Sequence, residues 1–265
     1  MVDWSGGNDR GPTPTKDAIW VGISRKDASE KPLYFRNRQA FHSWMNQFLE
    51  SELTANRRTM VGFDFPFGYP AGFGKHLTES DDPFDLWDWF AARVEDTPKA
   101  NNRFDLAGKI NGTLPGIGPF WGNGLKRDIA NLPRKGLVRT PNPFAENREV
   151  EHLAKGAFTL WQLAGAGSVG SQTIMGLPVL TTLRNEFPNK ISVWPFEPLK
   201  TQIAFIEIWP SLHAREASAE MIKDAHQVQA TAKHLRNISV TDLHADLHIH
   251  APVEGWILGI RRPQQ

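Results

Sequence analysis

Four acidic residues stand where a chain can bring distant segments to one point. Asp3 ends the opening Met-Val-Asp and precedes Trp-Ser-Gly-Gly, and Asp64 closes "TMVGF". Glu207 closes "IAFI" just before Ile-Trp-Pro, and Asp224 opens "KDAHQVQATAKHLR". If the three β segments that end in acids are parallel neighbours, their carboxyl ends lie about 4.8 Å apart. That is the edge at which open α/β sheets bind ligands. Carboxylates gathered there repel one another unless a divalent cation neutralises them. Oxygen-only ligation suits Mg²⁺ or Mn²⁺, and two such ions about 4 Å apart serve in-line phosphoryl transfer. The chemistry expected is phosphodiester hydrolysis, on nucleic acid or a nucleotide, with Asp3, Asp64, Glu207 and Asp224 as metal ligands. Taken singly, each acid reads as a turn former or a helix N-terminal charge, so the argument rests on the four together.

The elements that would position them follow from periodicity. "DAIWVGIS" and "PLYFR" read as strands around the charged turn "RKDASEK", which with the opening segment makes a hairpin or a three-strand meander. "RQAFHSWMNQFLESEL" sets Phe41, Trp44, Met45, Phe48 and Leu49 on one helical stripe. The strand "TMVGF" after that helix is then parallel to an earlier strand. "ISVWPF" and "IAFIEIWP" supply two more strands, and Ala225, Val228, Ala232 and Leu235 form the apolar face of the Asp224 helix. Between about residues 83 and 156 the texture changes to two helical stretches and a Gly-, Pro- and base-rich run. This reads as a mainly helical insertion over the sheet edge in a single domain spanning 1–265.

The totals bound the function. With 265 residues and 40% hydrophobic content the chain can bury a full core, and 30 Lys plus Arg against 29 Asp plus Glu leave no global basic field for nucleic acid. The absence of cysteine removes disulfides, thiolate catalysis and sulfur-ligated metals, and fits a reducing cytoplasm. No apolar run reaches the roughly 18 residues a membrane span needs. Ten Trp and 16 Phe read mainly as packing, with a base-stacking surface as the alternative.

"VDWSGG", "VGFDFPFGYPAGF", "NNRF", "GPFWG", "LWQLAGAGSVGSQTIMGLPVL", "VWPFE", "IEIWPS", "KDAHQVQATAKHL" and "EGWILGI" resemble, over nearly the whole chain, a bacterial family of unknown function in the RNase H-like superfamily. Its members are predicted nucleases, and some carry labels linking them to cobalamin or molybdopterin-guanine-dinucleotide biosynthesis. The resemblance implies an RNase H-like mixed sheet flanked by helices. It matches Asp3 to the first-strand acid, Asp64 to the acid after the crossover helix and Asp224 to the acid on the last core helix, with Glu207 as an additional ligand. Related sequences carry several more residues before Val-Asp-Trp-Ser, so either the first strand is unusually short or the start lies upstream of Met1. Two other classes remain open: a Mg-ATP-dependent phosphotransferase of the actin-like type, and a catalytically silent binding module in a biosynthetic pathway.

Substrate contacts are expected from Ser5 in the first motif, Arg103 in "NNRF", Trp121 in "GPFWG", and Gly165, Gly167 and Ser168 in "GAGSVG". The last matches the dinucleotide pattern G-x-G-x-x-G, yet Trp161 and Gln162 suit a buried strand poorly. A phosphate cradle is the better reading. Gly176-Leu177-Pro178 should cut the following helix short. Lys126, Arg134, Lys135 and Arg139, with Arg57 and Arg58, form either a local phosphate-binding patch or a solvated face. "DLHADLHIH" has His244 and His248 at i, i+4, better read as exposed decoration than as a metal site.

Overall fold

A computed structural model describes residues 1–25, 28–138, 142–213 and 221–263. Its sheet begins with a two-residue strand, β1 (Val2–Asp3), followed by β2 (Ile19–Val21), a small hairpin of β3 (Ser24–Arg25) and β4 (Ala28–Ser29), and β5 (Leu33–Phe35). Helix α1 (Arg38–Thr54) leads to β6 (Thr59–Phe63), and β7 (Ile191–Val193) and β8 (Ile203–Glu207) come much later. Six strands form one mixed sheet in the order β5-β2-β1-β6-β8-β7. Strands β1, β6, β8 and β7 are mutually parallel, while β2 runs against both β1 and β5. The three acid-bearing strands are therefore consecutive parallel neighbours.

Alternation along the strands sends side chains to two faces. Val2, Ile19, Val21, Val61, Phe63, Ile203 and Phe205 face one core, which α1, α3 (Pro83–Ala91), α4 (Arg103–Asn111) and α6 (Gly170–Glu186) cover with Phe41, Leu86, Trp87, Phe104 and Ile174. Trp20, Ile206 and Ile208 face the other. There they meet Val150 of α5 (Glu149–Leu153) and Ala225, Val228 and Ala232 of α7 (Lys223–Asn237). Helix α2 (Phe73–Thr78) follows β6, and α8 (Val240–Leu247) follows α7. The expected aromatic packing is extensive: Trp4, Trp87, Trp161 and Trp256 are fully buried.

Two expectations change. The run Gly176-Leu177-Pro178 does not end its helix; α6 continues through Pro178 to Glu186. Proline removes one hydrogen-bond donor, but Ile174, Leu177, Leu180 and Leu183 are all fully buried and hold the helix against the core. Gly176 is needed for packing, since a Cβ there would stand 2.4 Å from the Phe65 ring. The second change is in segment 83–156. Beyond α3 and α4, its described part is largely irregular, with a three-residue helical turn at Gly136–Val138 and the short α5. Its Trp87, Phe90, Phe104 and Phe120 belong to the same buried cluster as the sheet. Among the described residues no helix is long and apolar enough to cross a membrane.

Candidate functional site

Strand register decides which acids meet. Val2 pairs with Phe63 and Phe63 with Glu207, so these three are level and point to one face. Asp3 is one step beyond Val2 and faces the other side, toward α7. Asp64 is one step beyond Phe63 and is held beside β1 by its N–H, which donates to the Val2 carbonyl at 3.0 Å. The Asp3 and Asp64 carboxyls share a hydrogen bond. Helix α7 brings Asp224 in its first turn, and Asp224 Oδ2 accepts from the Asp17 N–H at 2.7 Å.

The electrostatics follow from this gathering. Burial, then Asp64 and Asp224, push the Asp3 carboxyl well above the usual range. Burial is also the main cause that lifts Asp64 to about 7, with Glu207 and Asp224 adding to it and the bond from Asp3 opposing. Both shifts favour a protonated carboxyl at this pair while no cation is bound.

Asp3 and Asp224 line an open cleft of about 320 Å³, together with Ser5, Gly6, Gly7, Arg10, Asp17, Arg103, Ser168, Ser171 and Gln172, over a floor that includes Trp4. Asp17 was not singled out by the sequence, yet its main chain ties three parts of the site together. Its carbonyl accepts from Ser5 Oγ at 2.9 Å and Arg10 Nε at 3.1 Å, while its N–H reaches Asp224. The backbone there is left-handed, with φ 56°, which aspartate tolerates better than most residues. Arg38, buried on α1, is a second residue that sequence reasoning missed. It donates to the Ser5 and Gly7 carbonyls at 2.8 and 2.6 Å and grips Asp96 with Nε and Nη2. That network fixes the loop after β1.

Glu207 is placed differently from the other three acids. Arg148 donates to both of its oxygens, at 2.5 Å to Oε1 and 2.9 Å to Oε2, and the Phe67 N–H donates to Oε2 at 3.0 Å. Arg148 is fully buried and also binds Glu151. Burial raises the Glu207 carboxyl and Arg148 opposes the rise. Glu207 thus anchors the loop that follows Asp64 and does not line the cleft; its register places it on the sheet face opposite Asp3.

Ser5, Arg103 and Ser168 are among the cleft residues, whereas Trp121, Gly165 and Gly167 are not. The Trp121 ring covers Gly136, leaving no room for a Cβ there. Gly165 and Gly167 have φ of 105° and 72° and shape the loop that carries Ser168. No strand precedes this loop, only an isolated bridge of Gln162 to Trp121, so the strand-then-helix context of a dinucleotide fingerprint is missing. Of the bases read as either a phosphate-binding patch or a solvated face, Arg57 and Arg134 are engaged in separate places. Arg57 binds Glu52 at the far end of β6, and Arg134 binds Asp128 and four carbonyls of its own loop. Arg139 lies outside the described residues. His244, His248 and His250 are exposed, while Asp246 among them is buried on Arg261.

The donor set at the cleft is hard oxygen, which suits Mg²⁺ or Mn²⁺. Among the described residues, no three His, Asp or Glu side chains are posed together to hold a metal. Asp3 and Asp64 hold each other, and Asp224 is turned to the Asp17 amide. Loading a cation requires loss of the proton favoured at that pair and rotation of Asp224. Compared with protein-family models, with curated proteins and with solved structures, the chain matches none.

Proposed function

We propose that the cleft is the active site of a Mg²⁺- or Mn²⁺-dependent phosphodiester hydrolase, built on an RNase H-like sheet and acting on nucleic acid or a nucleotide. The observation that carries this reading is that Asp3 and Asp224 line one cleft with Arg10 and Arg103, while Asp64, which does not itself line the cleft, interacts with Asp3 from the neighbouring strand. Acids and guanidinium groups in one cleft match the two demands of phosphoryl transfer, a cation at the phosphate and fixed donors to its oxygens. The strand order supports it too, with the acid-bearing β1 central and β6 parallel beside it.

When bound, the cation supplies Lewis acidity at the phosphate and lowers the pKa of water. Asp3 and Asp64 would hold it, with Asp224 joining them. Arg10 and Arg103 would orient the phosphate for attack in line with the leaving oxygen. In the reaction a bond forms from water oxygen to phosphorus and the ester P–O bond breaks. The leaving alcohol takes a proton, and the attacking water gives one up. Glu207, held by Arg148, acts at one remove by fixing the loop after Asp64.

The test is Mn²⁺-dependent release of nitrophenol from thymidine 5′-(p-nitrophenyl phosphate) and of products from oligonucleotides. Asp3→Asn and Asp64→Asn should each lower turnover about 100-fold or more while leaving the fold intact. Full activity in either variant would overturn the assignment.

A further inference from the structure

The arginine side of the cleft has more unused donors than an internal phosphodiester can employ. Arg103 Nε donates to Ser171 Oγ at 2.9 Å and Nη1 to Asn101 Oδ1 at 2.6 Å, leaving Nη2 without an acceptor among the described residues. Arg10 uses only Nε, on the Asp17 carbonyl. Neither forms an ion pair with a described carboxylate, in a protein where Arg25, Arg36, Arg38, Arg57, Arg127 and Arg148 all do. Arg103 is mostly buried, its guanidinium 4.3 Å from the Phe104 ring centre, and burial with Arg38 and Arg10 nearby depresses it to about 10 against the opposing effect of Asp96. Two guanidinium groups with free donors, neither ion-paired to a described carboxylate, line one cleft and can bind the oxygens of an anion, although Asp3, Asp17 and Asp224 line it as well. The Ser168 hydroxyl and the main-chain N–H groups of Ser171 and Gln172, in the first turn of α6, also find no acceptor among the described residues.

The free donors and the modest size of the cleft bear on the kind of phosphate it would take. Gly6 packs on the first turn of α6 so closely that a Cβ would stand 2.7 Å from the Ser171 carbonyl oxygen. The loop after β1 and helix α6 therefore abut beside Ser171, which holds Arg103. The cleft's volume of about 320 Å³ is at the small end for ligand sites. A phosphate monoester carries close to two negative charges and three acceptor oxygens near neutral pH, against one charge and two free oxygens for an internal diester.

We propose that Arg10 and Arg103, with Ser168 and the first turn of α6, form a pocket for the terminal phosphate of a nucleotide or nucleic-acid end, beside the acids that act on the adjoining linkage. This deepens the hydrolase reading and rests on it for the role of the bound end. The enzyme then works on phosphorylated ends and not within a strand.

The experiment is calorimetry in EDTA on the full chain, with thymidylyl-thymidine carrying a 5′-phosphate, a 3′-phosphate or neither. Either phosphorylated form should bind at least about tenfold more tightly than the unphosphorylated one, as expected for charge-assisted bonds, and the preferred end identifies the polarity. Arg10→Ala, at an exposed residue, and Arg103→Lys should each erase most of that preference. Arg58→Ala, at the opposite end of β6, should keep it. Equal binding of all three ligands, or an unchanged preference in Arg10→Ala, would overturn the pocket. Because no metal is present, Asp64→Asn should retain the preference. No Mn²⁺-dependent hydrolysis by the wild-type protein with the preference intact defeats only the hydrolase reading, and hydrolysis without any preference defeats only this pocket.

Discussion

Asp3 and Asp64, 61 positions apart in sequence, end two hydrogen-bonded parallel strands and bond to each other through their carboxyls. The arrangement is costly without a cation, because burial and mutual repulsion oppose ionisation of both. Each folded-state pKa lies above its unfolded value, so their contribution favours the fold at low pH. It is lost as pH rises from about 4 through about 7 for Asp64.

The metal-free protein should therefore weaken across that window, and Asp64→Asn should be more stable than the wild type at pH 8 in EDTA. A gain of about 2 kcal/mol is expected, discounted from the full shift because both side chains keep some contact with water. Urea unfolding at pH 5 and pH 8 measures it. An Asn variant less stable at both values contradicts the protonated pair.

Arg148 neutralises Glu207 and Glu151 where water cannot. Replacing it with Met should cost about 3–5 kcal/mol by leaving two buried carboxylates without their guanidinium, held only by the main-chain N–H groups of Phe67 and residue 148. Glu207→Gln should destabilise the fold while leaving Mn²⁺ affinity within about twofold of wild type, since Glu207 faces away from Asp3. A tenfold loss of Mn²⁺ affinity in Glu207→Gln would return that residue to the ligand set.

Glu52, almost fully buried at the end of α1, receives Arg57 at 2.7 Å and Arg25 at 2.9 Å, and its carboxyl is held at about 2. Its folded pKa is below the unfolded value, so its stabilisation is present above about pH 4.5 and fades as pH falls toward 2. Glu52→Gln should cost about 2 kcal/mol at pH 7 and almost nothing near pH 2. Denaturation curves at the two pH values decide it.

Gly22 seats α7 against β2, because a Cβ there would be 2.3 Å from the Val228 carbonyl oxygen. Gly22→Ala should cost about 1–3 kcal/mol by displacing the helix. It should also weaken Mn²⁺ binding by moving Asp224, which calorimetry would detect. An unchanged affinity would remove Asp224 from the site.

Much of this was legible in the sequence for a physical reason. Period-two alternation in "TMVGF" and "IAFI" and the apolar stripe of α1 are local signals, and they sufficed to place β6, β8 and α1; that β1, β6 and β8 are parallel neighbours was a premise of the sequence reading, and the strand order supplies it. What was not legible depended on register and long-range partners. Nothing in "IAFIEIWP" says that Glu207 pairs with Phe63 and so points away from Asp3, or that Arg148, 59 positions earlier, occupies it. Asp17 acts through its main chain, which composition does not report. Arg10 looks like one more loop base until the fold leaves it without a carboxylate. Pro178 reads as a helix breaker locally, and only the buried leucines on either side of it reverse that reading.

The central claim is that Asp3, Asp64 and Asp224 form one cation site. Anomalous diffraction from crystals soaked in Mn²⁺ tests it most directly. The account predicts a peak within about 2.3 Å of carboxylate oxygens of both Asp3 and Asp64, with Asp224 turned from the Asp17 amide toward it. No peak at saturating Mn²⁺, or a peak elsewhere with the Asp3–Asp64 hydrogen bond intact, would contradict it.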